Sequence, residues 1–336
     1  MEYPKIKVCV RCFTFNQAKY IEDTMNGFVM QQTDFPFVCC IVDDASTDGE
    51  QDVIKKYMDM HFDYSPNSVS FEKETDYAYI HYAQHKENKN CYFAVVFLKM
   101  NLYSKKEGFK KFEYISEWRD ICEYEAICEG DDFWIDTKKL SKQVSFLDTH
   151  PDYGFSYAKA YSCNESSVIN KDVFYGKKKE TFDDLIEGNT IPTLTVIYRK
   201  KLYDLYRKEI QDNPAWIMGD YPMWLFFIIH SKVYFYNEFV GVYRILPESA
   251  SHSSSLKKRL KFIRGIFEVQ KDLILYAHRS DLYFLICRKA ICEALFVCAY
   301  EFAVFCKLKK GIRLFVLLLF ISISITRITE KTASVS

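Results

Sequence analysis

The chain has 336 residues, enough for one α/β catalytic domain and a helical extension. Hydrophobic residues make up 49% and aromatic residues 17%, which excludes a disordered chain. Lys+Arg and Asp+Glu balance at 45 each, so the basic excess of a nucleic-acid binder is missing.

In chain order, residues 5–13 (KIKVCVRCF) predict a strand of β-branched and apolar residues, and 18–31 a helix with Ile21, Met25, Phe28 and Val29 on one face. The nearly all-apolar run 37–42 (FVCCIV) predicts a strand covered on both sides. It stops at DDASTDG, after which 51–60 read as helical. Strand, helix, strand, turn and helix in that order imply a parallel sheet with right-handed crossovers. Residues 78–84 read as a strand, while the type of 91–100 is open and 61–112 as a whole are hard to assign. Residues 124–128 (YEAIC) predict another short strand ending at EGDDFW. A helix over 138–148 follows, with Asp136 or Thr137 expected as its N-cap. Residues 193–198 predict an apolar strand, and from about 256 onward the pattern is helical.

Twelve cysteines are scattered, with one adjacent pair and no Cys/His quartet at zinc-ligand spacing. Cys9, Cys40, Cys128 and Cys298 sit in apolar runs, where a free thiol acts as a small hydrophobe. That usage fits a reducing cytoplasm, and the N-terminus shows no signal-peptide pattern. The expected location is cytoplasmic, including the inner face of the membrane.

Four segments carry chemistry. In FTFNQAKYIEDTM (13–25), Thr14 and Asn16 lie in a loop that opens a helix. VDDASTDG (42–49) brings Asp43 and Asp44 to a strand end, where ligands of open α/β sheets bind. They can accept hydrogen bonds from a base or ribose, or serve only an Asx-type turn that caps the next helix. EGDDFW (129–134) sets Glu129, Asp131 and Asp132 within four residues, and these repel one another unless a cation offsets them. Oxygen-only ligation suits Mg²⁺ or Mn²⁺ bridging to phosphates; the alternative is a solvated acidic turn. Asp220, in MGDYPMW, is set among apolar side chains, which raises a carboxylate's proton affinity and suits a general base; it also suits a helix N-cap ahead of Pro222. In VYRILPESASHSSS (242–255), Arg244 is a candidate phosphate partner and His252 a candidate metal or phosphate ligand.

In this order these segments resemble bacterial members of glycosyltransferase family 2 over about residues 5–255. VDDASTDG looks like the family's VDDGSTDG-type turn, ICEGDDFWIDTKKLSKQVSFL like its metal-site strand and helix, and GDYPMWLFF like the segment with the catalytic aspartate. The resemblance implies a GT-A fold, with a mixed, mainly parallel sheet flanked by helices, and inverting transfer from a nucleotide diphosphate sugar, expected to be a UDP-sugar. It implies Mn²⁺ or Mg²⁺ on the leaving diphosphate and a glycan or lipid-linked acceptor in surface polysaccharide synthesis. By position, Asp43 and Asp44 would contact the donor nucleoside. Glu129 and Asp131 align with the two acids of the DxD motif, Asp132 would lie against donor sugar or phosphate, and Asp220 would be the base. Two departures stand out: Glu129 replaces the first Asp of DxD, and Ala45 replaces a Gly, which predicts a looser turn.

The expected organisation is a catalytic domain over 1–255 and a helical extension over 256–336. Within the extension, 314–326 is a 13-residue uncharged run framed by Lys307, Lys309, Lys310, Arg313 and Arg327. It would span about 20 Å as a helix, short of the ~30 Å hydrocarbon core, so an interfacial helix, or one packed on the catalytic domain or buried in a dimer, is expected instead. Competing readings are a nucleotidyltransferase, disfavoured because TFNQAKYIED stands where a Gly-rich phosphate loop belongs, and a degenerate carbohydrate-binding module. No GxGxxG is present for hydride transfer.

Overall fold

A computed structural model describes residues 5–211, 213–246 and 255–305. The chain forms two compact units. The first comprises Met1–Glu180, Thr190–Glu209 and His230–Ile245. The second takes Thr181–Asn189, Ile210–Ile229 and Leu246–Ser336, so it draws two segments from inside the span expected for the catalytic domain.

The elements run β1 (Val8–Thr14), α1 (Ile21–Val29), β2 (Phe37–Asp43), α2 (Glu50–His61), β3 (Phe62–Asp63), β4 (Phe71–Glu74), β5 (Ala78–His85) and β6 (Cys91–Leu98). They continue with α3 (Lys111–Arg119), β7 (Tyr124–Ile127), β8 (Phe133–Trp134), α4 (Lys139–Thr149), β9 (Tyr153–Cys163), β10 (Ile169–Tyr175) and α5 (Phe182–Glu187). The rest are β11 (Ile197–Arg199), α6 (Lys200–Glu209), α7 (Tyr221–His230), β12 (Lys232–Arg244), α8 (Leu256–Tyr276) and α9 (Tyr283–Phe305).

The first unit is built on one sheet of order β3-β5-β6-β2-β1-β7-β11-β9-β12-β8, with β4 added to β5 and β10 to β9. Its centre, β6-β2-β1-β7, is parallel, as is the β9/β12 pair. The sheet is thus mixed, as expected, with its antiparallel pairings outside that centre. On one side β5 runs antiparallel to β6, and on the other β11 runs antiparallel to both β7 and β9. Between β5 and β6 the short connection 86–90 replaces a helical crossover, and a short connection can only reverse direction.

The period-2 alternation of buried strands sorts the core onto two faces. Val8, Val10, Cys39, Ile41, Phe93 and Val95 pack with Met25 and Phe28 of α1, Ile54 of α2 and Leu140 and Val144 of α4. Cys9, Val38, Cys40, Val42, Ala94 and Val96 face the other way, against Ile115 and Trp118 of α3. Several cysteines therefore do serve as core hydrophobes. The run 91–100, ambiguous in sequence, contains β6, buried along its whole length.

Local details fix α1 and α4 around β8. A Cβ at Gly27 would come within 2.8 Å of the Trp134 backbone nitrogen, so glycine lets α1 lie directly on β8. The expected side-chain cap of α4 is not made by Asp136 or Thr137. The N-cap position is Lys138, and the amide of Leu140 is instead taken by Gln31 Oε1 at 3.1 Å, from a residue 109 positions earlier.

In the second unit, Thr181 and Asp184 form a capping box at the start of α5. Gln270 Nε2 of α8 donates to the Ile186 carbonyl at 2.8 Å and reaches the Tyr221 hydroxyl at 3.0 Å, and that hydroxyl donates to the Leu185 carbonyl at 2.7 Å. Among the described residues no helix is long and apolar enough to cross a membrane. The run 314–326 lies outside them.

Candidate active site

β2 and β6 lie to one side of β1, and β7 to the other. The chain reverses its winding between β1 and β7, and such a switch point opens a crevice beyond the carboxyl ends of the strands. Three loops leave the sheet at that edge: 15–20 after β1, 44–49 after β2 and 128–132 after β7. They contain five of the candidate site residues, Asn16, Asp44, Glu129, Asp131 and Asp132, together with Thr14 and Asp43 at the strand ends themselves.

The first two loops are zipped together. The Asn16 amide donates to Ser46 Oγ at 2.8 Å, and Asn16 Oδ1 accepts from the Thr47 amide at 2.8 Å. The Ala18 amide donates to Asp48 Oδ2 at 2.9 Å. Beneath them Glu50 is fully buried, accepting from the Gln17 amide at 2.9 Å and Ser46 Oγ at 2.8 Å, with the Thr14 hydroxyl hydrogen-bonded to its other oxygen. Burial raises the Glu50 pKa, and these donors oppose the rise. Ala45 does not loosen its turn: it takes the left-handed conformation, φ 61°, that glycine adopts without strain.

The carboxylates of the second loop differ. Asp43 Oδ1 accepts from the Ser46 amide at 3.1 Å and Gln51 Nε2 at 2.5 Å, while its Oδ2 is buried with no hydrogen-bond partner among the described residues. Asp44, expected on the nucleoside, is committed on both oxygens. It accepts from the Leu102 and Tyr103 amides at 2.7 and 3.1 Å and pairs with the buried Lys111 ammonium at 2.7 Å. Asp44 thus anchors the 100–103 segment beside the turn.

The third loop follows β1 past its end, with the Cys128 amide on the Arg11 carbonyl at 3.1 Å and the Gly130 amide on that of Phe13 at 3.4 Å. A Cβ at Gly130 would stand 2.3 Å from Thr14 Oγ1 and 2.5 Å from Gln17 Oε1, so glycine is what lets the first and third loops touch. Glu129 Oε2 accepts from the Phe13 amide at 3.3 Å, and burial pushes its pKa up to about 7 against the pull of Arg11. Burial also raises Asp131, which is hydrogen-bonded by the Gln17 side chain. Asp132 is raised furthest, by burial and then by the charge of Asp131. Three acids that disfavour one another's charge form a hard oxygen donor set, which suits Mg²⁺ or Mn²⁺. Among the described residues no group of three His, Cys, Asp or Glu is arranged to hold a metal. An ion here would take one or two protein ligands and complete its shell from phosphate and water.

Residues 10–78 match the family described as Glycosyl transferase family 2. An uncharacterized protein of Mycobacterium tuberculosis is 28% identical over 277 residues, 80% of this chain and 68% of the relative. The putative teichuronic acid biosynthesis glycosyltransferase TuaG of Bacillus subtilis is 25% identical over 240 residues, 71% of this chain and 79% of TuaG. Together these matches support a glycosyltransferase, with the likeness to family 2 carried by residues 10–78. Its fold is also that of solved enzymes. Residues 1–349 of S. aureus TarS, in complex with UDP-GlcNAc, superpose with a TM-score of 0.53 at 16% identity, covering 98% of this chain and 92% of that one. The chain spans 43% of the longer TarS chain. A mannosyltransferase from Pyrobaculum calidifontis, in complex with GDP-Man and Mn²⁺, gives 0.51 at 12% identity over 98% and 88% of the two chains.

Arg244 departs from its expected part. Its guanidinium is buried and directed inward: Nε to the Asp131 carbonyl at 2.8 Å, Nη1 to the Asn164 carbonyl at 3.1 Å and Ser167 Oγ at 2.9 Å, Nη2 to Asp23 at 3.0 Å. Its backbone amide donates to Asp132 Oδ1 at 2.8 Å. Arg244 bolts the acidic loop to α1 and to the end of β12, and presents no phosphate fork. Asp220 lies in the second unit, half-buried at the start of α7. Its Oδ1 accepts from the Tyr221 amide at 2.8 Å and its carbonyl from that of Trp224 at 3.1 Å, so the N-cap reading holds. His252 lies outside the described residues.

Sequence reasoning missed Glu50, Gln17, Lys111 and Gly130. Glu50 reads as an ordinary acid in a first helical turn, and Lys111 falls in the unassigned stretch. Gly130 carried a usable signal, since a glycine between two acids at a strand end marks close backbone approach.

Proposed function

We propose that this glycosyltransferase moves a sugar from a nucleoside diphosphate sugar, a UDP-sugar in the first instance, to a hydroxyl of a glycan or lipid-linked acceptor, with inversion at the anomeric carbon. The observation that carries the reading is the gathering of the Thr14–Gln17, Asp43–Ser46 and Glu129–Asp132 segments at the switch point between β1 and β7. In TarS the same fold is seen with UDP-GlcNAc, and the TuaG name points to cell-surface polymers.

In this proposal the nucleoside lies over the zipped first and second loops and supplies the partner that Asp43 Oδ2 lacks. Thr14 and Asn16 shape that surface through Glu50, Ser46 and Thr47, and Asp44 supports it through residues 102–103. Asp131, with Glu129 beside it, would hold Mn²⁺ or Mg²⁺, which supplies Lewis-acid stabilisation of the charge on the departing diphosphate. Asp132, kept in place by the Arg244 amide, orients the donor sugar or its phosphate. The acceptor oxygen attacks the anomeric carbon opposite the leaving diphosphate and gives its proton to Asp220. That role for Asp220 rests on its motif, GDYPMW, and not on a distance.

Calorimetric titration with UDP and GDP tests the donor site. Asp43→Asn removes a charged acceptor, worth about 1.5–3 kcal/mol, so binding of the preferred nucleotide should weaken roughly 10-fold or more. Unchanged affinity would remove Asp43 from the donor site.

A further inference from the structure

The charge balance of the whole chain conceals a strong local asymmetry. Residues 256–313 hold thirteen Lys and Arg against five Asp and Glu. Within the described part, the first nine residues of α8, LKKRLKFIR, contain five cations and no acid. Lys257, Lys258, Lys261 and Arg264 are exposed there. Arg259 pairs with Glu301 of α9 at 3.2 Å, and Arg264 makes a loose 4.0 Å contact with Glu268. The Arg259 guanidinium also lies over the Tyr300 ring at 5.7 Å. These contacts place the cationic start of α8 beside the far end of α9.

Along α9 an apolar stripe faces solvent. Phe284, Ile291, Leu295, Cys298 and Phe302 follow one another at seven, four, three and four residues, so they share one helical face about 27 Å long. Phe284, Ile291 and Phe302 are 53%, 52% and 59% exposed, and Tyr300 and Phe296 flank the stripe, each 41% exposed. A row of this kind on a water-facing helix marks a docking surface.

We propose that the α8–α9 hairpin docks on an anionic lipid bilayer, with the stripe of α9 in the headgroup and upper acyl layer and Lys257, Lys258, Lys261 and Arg264 over the lipid phosphates. Charge decides between occupants. A second copy would present the same cation-rich hairpin, with thirteen Lys and Arg against five acids over 256–313, and so no net counter-charge for the start of α8. The chain's own apolar run 314–326 is framed by Lys307, Lys309, Lys310, Arg313 and Arg327, which would set cations against cations. An anionic bilayer meets both needs, since aromatic and aliphatic side chains with Lys and Arg nearby are the composition of interfacial helices. Surface docking also agrees with α8 and α9 lacking the apolar length to span. The inference stands independently of the transfer chemistry.

The test is sedimentation of the full chain with vesicles of phosphatidylcholine alone, or with 30% phosphatidylglycerol, in 0.1 and 0.5 M salt. The wild type should pellet with the phosphatidylglycerol vesicles and largely escape in high salt. In a combined Lys257→Gln, Lys258→Gln, Lys261→Gln and Arg264→Gln variant, partitioning should fall at least about 100-fold, because each cation near an anionic surface contributes a factor of several. Leu295→Ser with Phe302→Ser should weaken it separately. Both variants should keep wild-type donor hydrolysis in solution, so a failed transferase reading and a failed docking reading are told apart. Equal pelleting with neutral and anionic vesicles would overturn the proposal, as would binding that the four substitutions leave unchanged. A dimer that the stripe variant dissolves, without any vesicle binding by the wild type, would overturn it in favour of a second copy.

Discussion

Lys139 sits directly behind the acidic loop, at the first turn of α4, and is wholly buried. Its ammonium lies 4.3 Å from the centroid of the Trp134 ring, and Nζ has no hydrogen-bond partner among the described residues. Burial lowers its pKa from the usual 10.5 to about 7. At 1.36 kcal/mol per pKa unit, holding the charged lysine inside costs about 5 kcal/mol at pH 7 and below, and the Trp134 face offsets roughly 1–2 of that. Lys139→Met keeps the length of the side chain and removes the charge, so it should stabilise the first unit by a few kcal/mol near neutral pH. The sign follows from linkage. Between pH 7 and 10.5 the unfolded chain binds the proton that the folded chain has released, so this group's cost shrinks as pH rises. The advantage of Lys139→Met over wild type should therefore narrow by about 3 kcal/mol between pH 6.5 and 9.5. Urea unfolding followed by tryptophan fluorescence at the two pH values reads this difference. A variant less stable than wild type at pH 6.5, or an advantage independent of pH, would refute a buried lysine without a polar partner.

Two further substitutions probe the loops. Gly130→Ala places a methyl group 2.3 Å from Thr14 Oγ1 and must part the first and third loops. Transfer should drop roughly 10- to 100-fold, with a stability loss of about 1–3 kcal/mol, read by kcat and by melting; a variant with normal turnover would show that the loops need not touch. Arg244→Met strands the Asp131 and Asn164 carbonyls and the Asp23 carboxylate, and should cost about 3–5 kcal/mol in urea unfolding. A loss under about 1 kcal/mol would mean the guanidinium is not the bolt described.

The parts of the fold that were legible have a strong local signal. FVCCIV and YEAIC are short apolar runs ended by acids, and both are strands of the parallel centre with the acids at or just beyond their ends. The stretch 61–112 was not legible because β4 and β5 form an antiparallel margin whose burial is irregular, and because an all-apolar run such as β6 has no period to read. Site residues named from the sequence were found by type and position. What each one touches was not, because those contacts are long-range. Gln31 capping α4, Lys111 on Asp44 and Arg244 on Asp131 join residues 67 to 113 positions apart. Arg244 illustrates the limit: arginine near acids at a strand end suits either a phosphate or a carbonyl cage, and only packing distinguishes them. The second unit was blurred for the same reason, since α5 and the 210–229 segment join the C-terminal helices across long stretches of chain.

The most direct test of the account is release of nucleoside diphosphate from a panel of UDP- and GDP-sugars with Mn²⁺ or Mg²⁺, in wild type, Asp131→Ala and Asp220→Asn. The account predicts metal-dependent release by the wild type that both variants lose, which would identify the donor as well. No release from any donor, together with no metal-dependent nucleotide binding, would contradict it and leave the chain a binding module on a transferase fold.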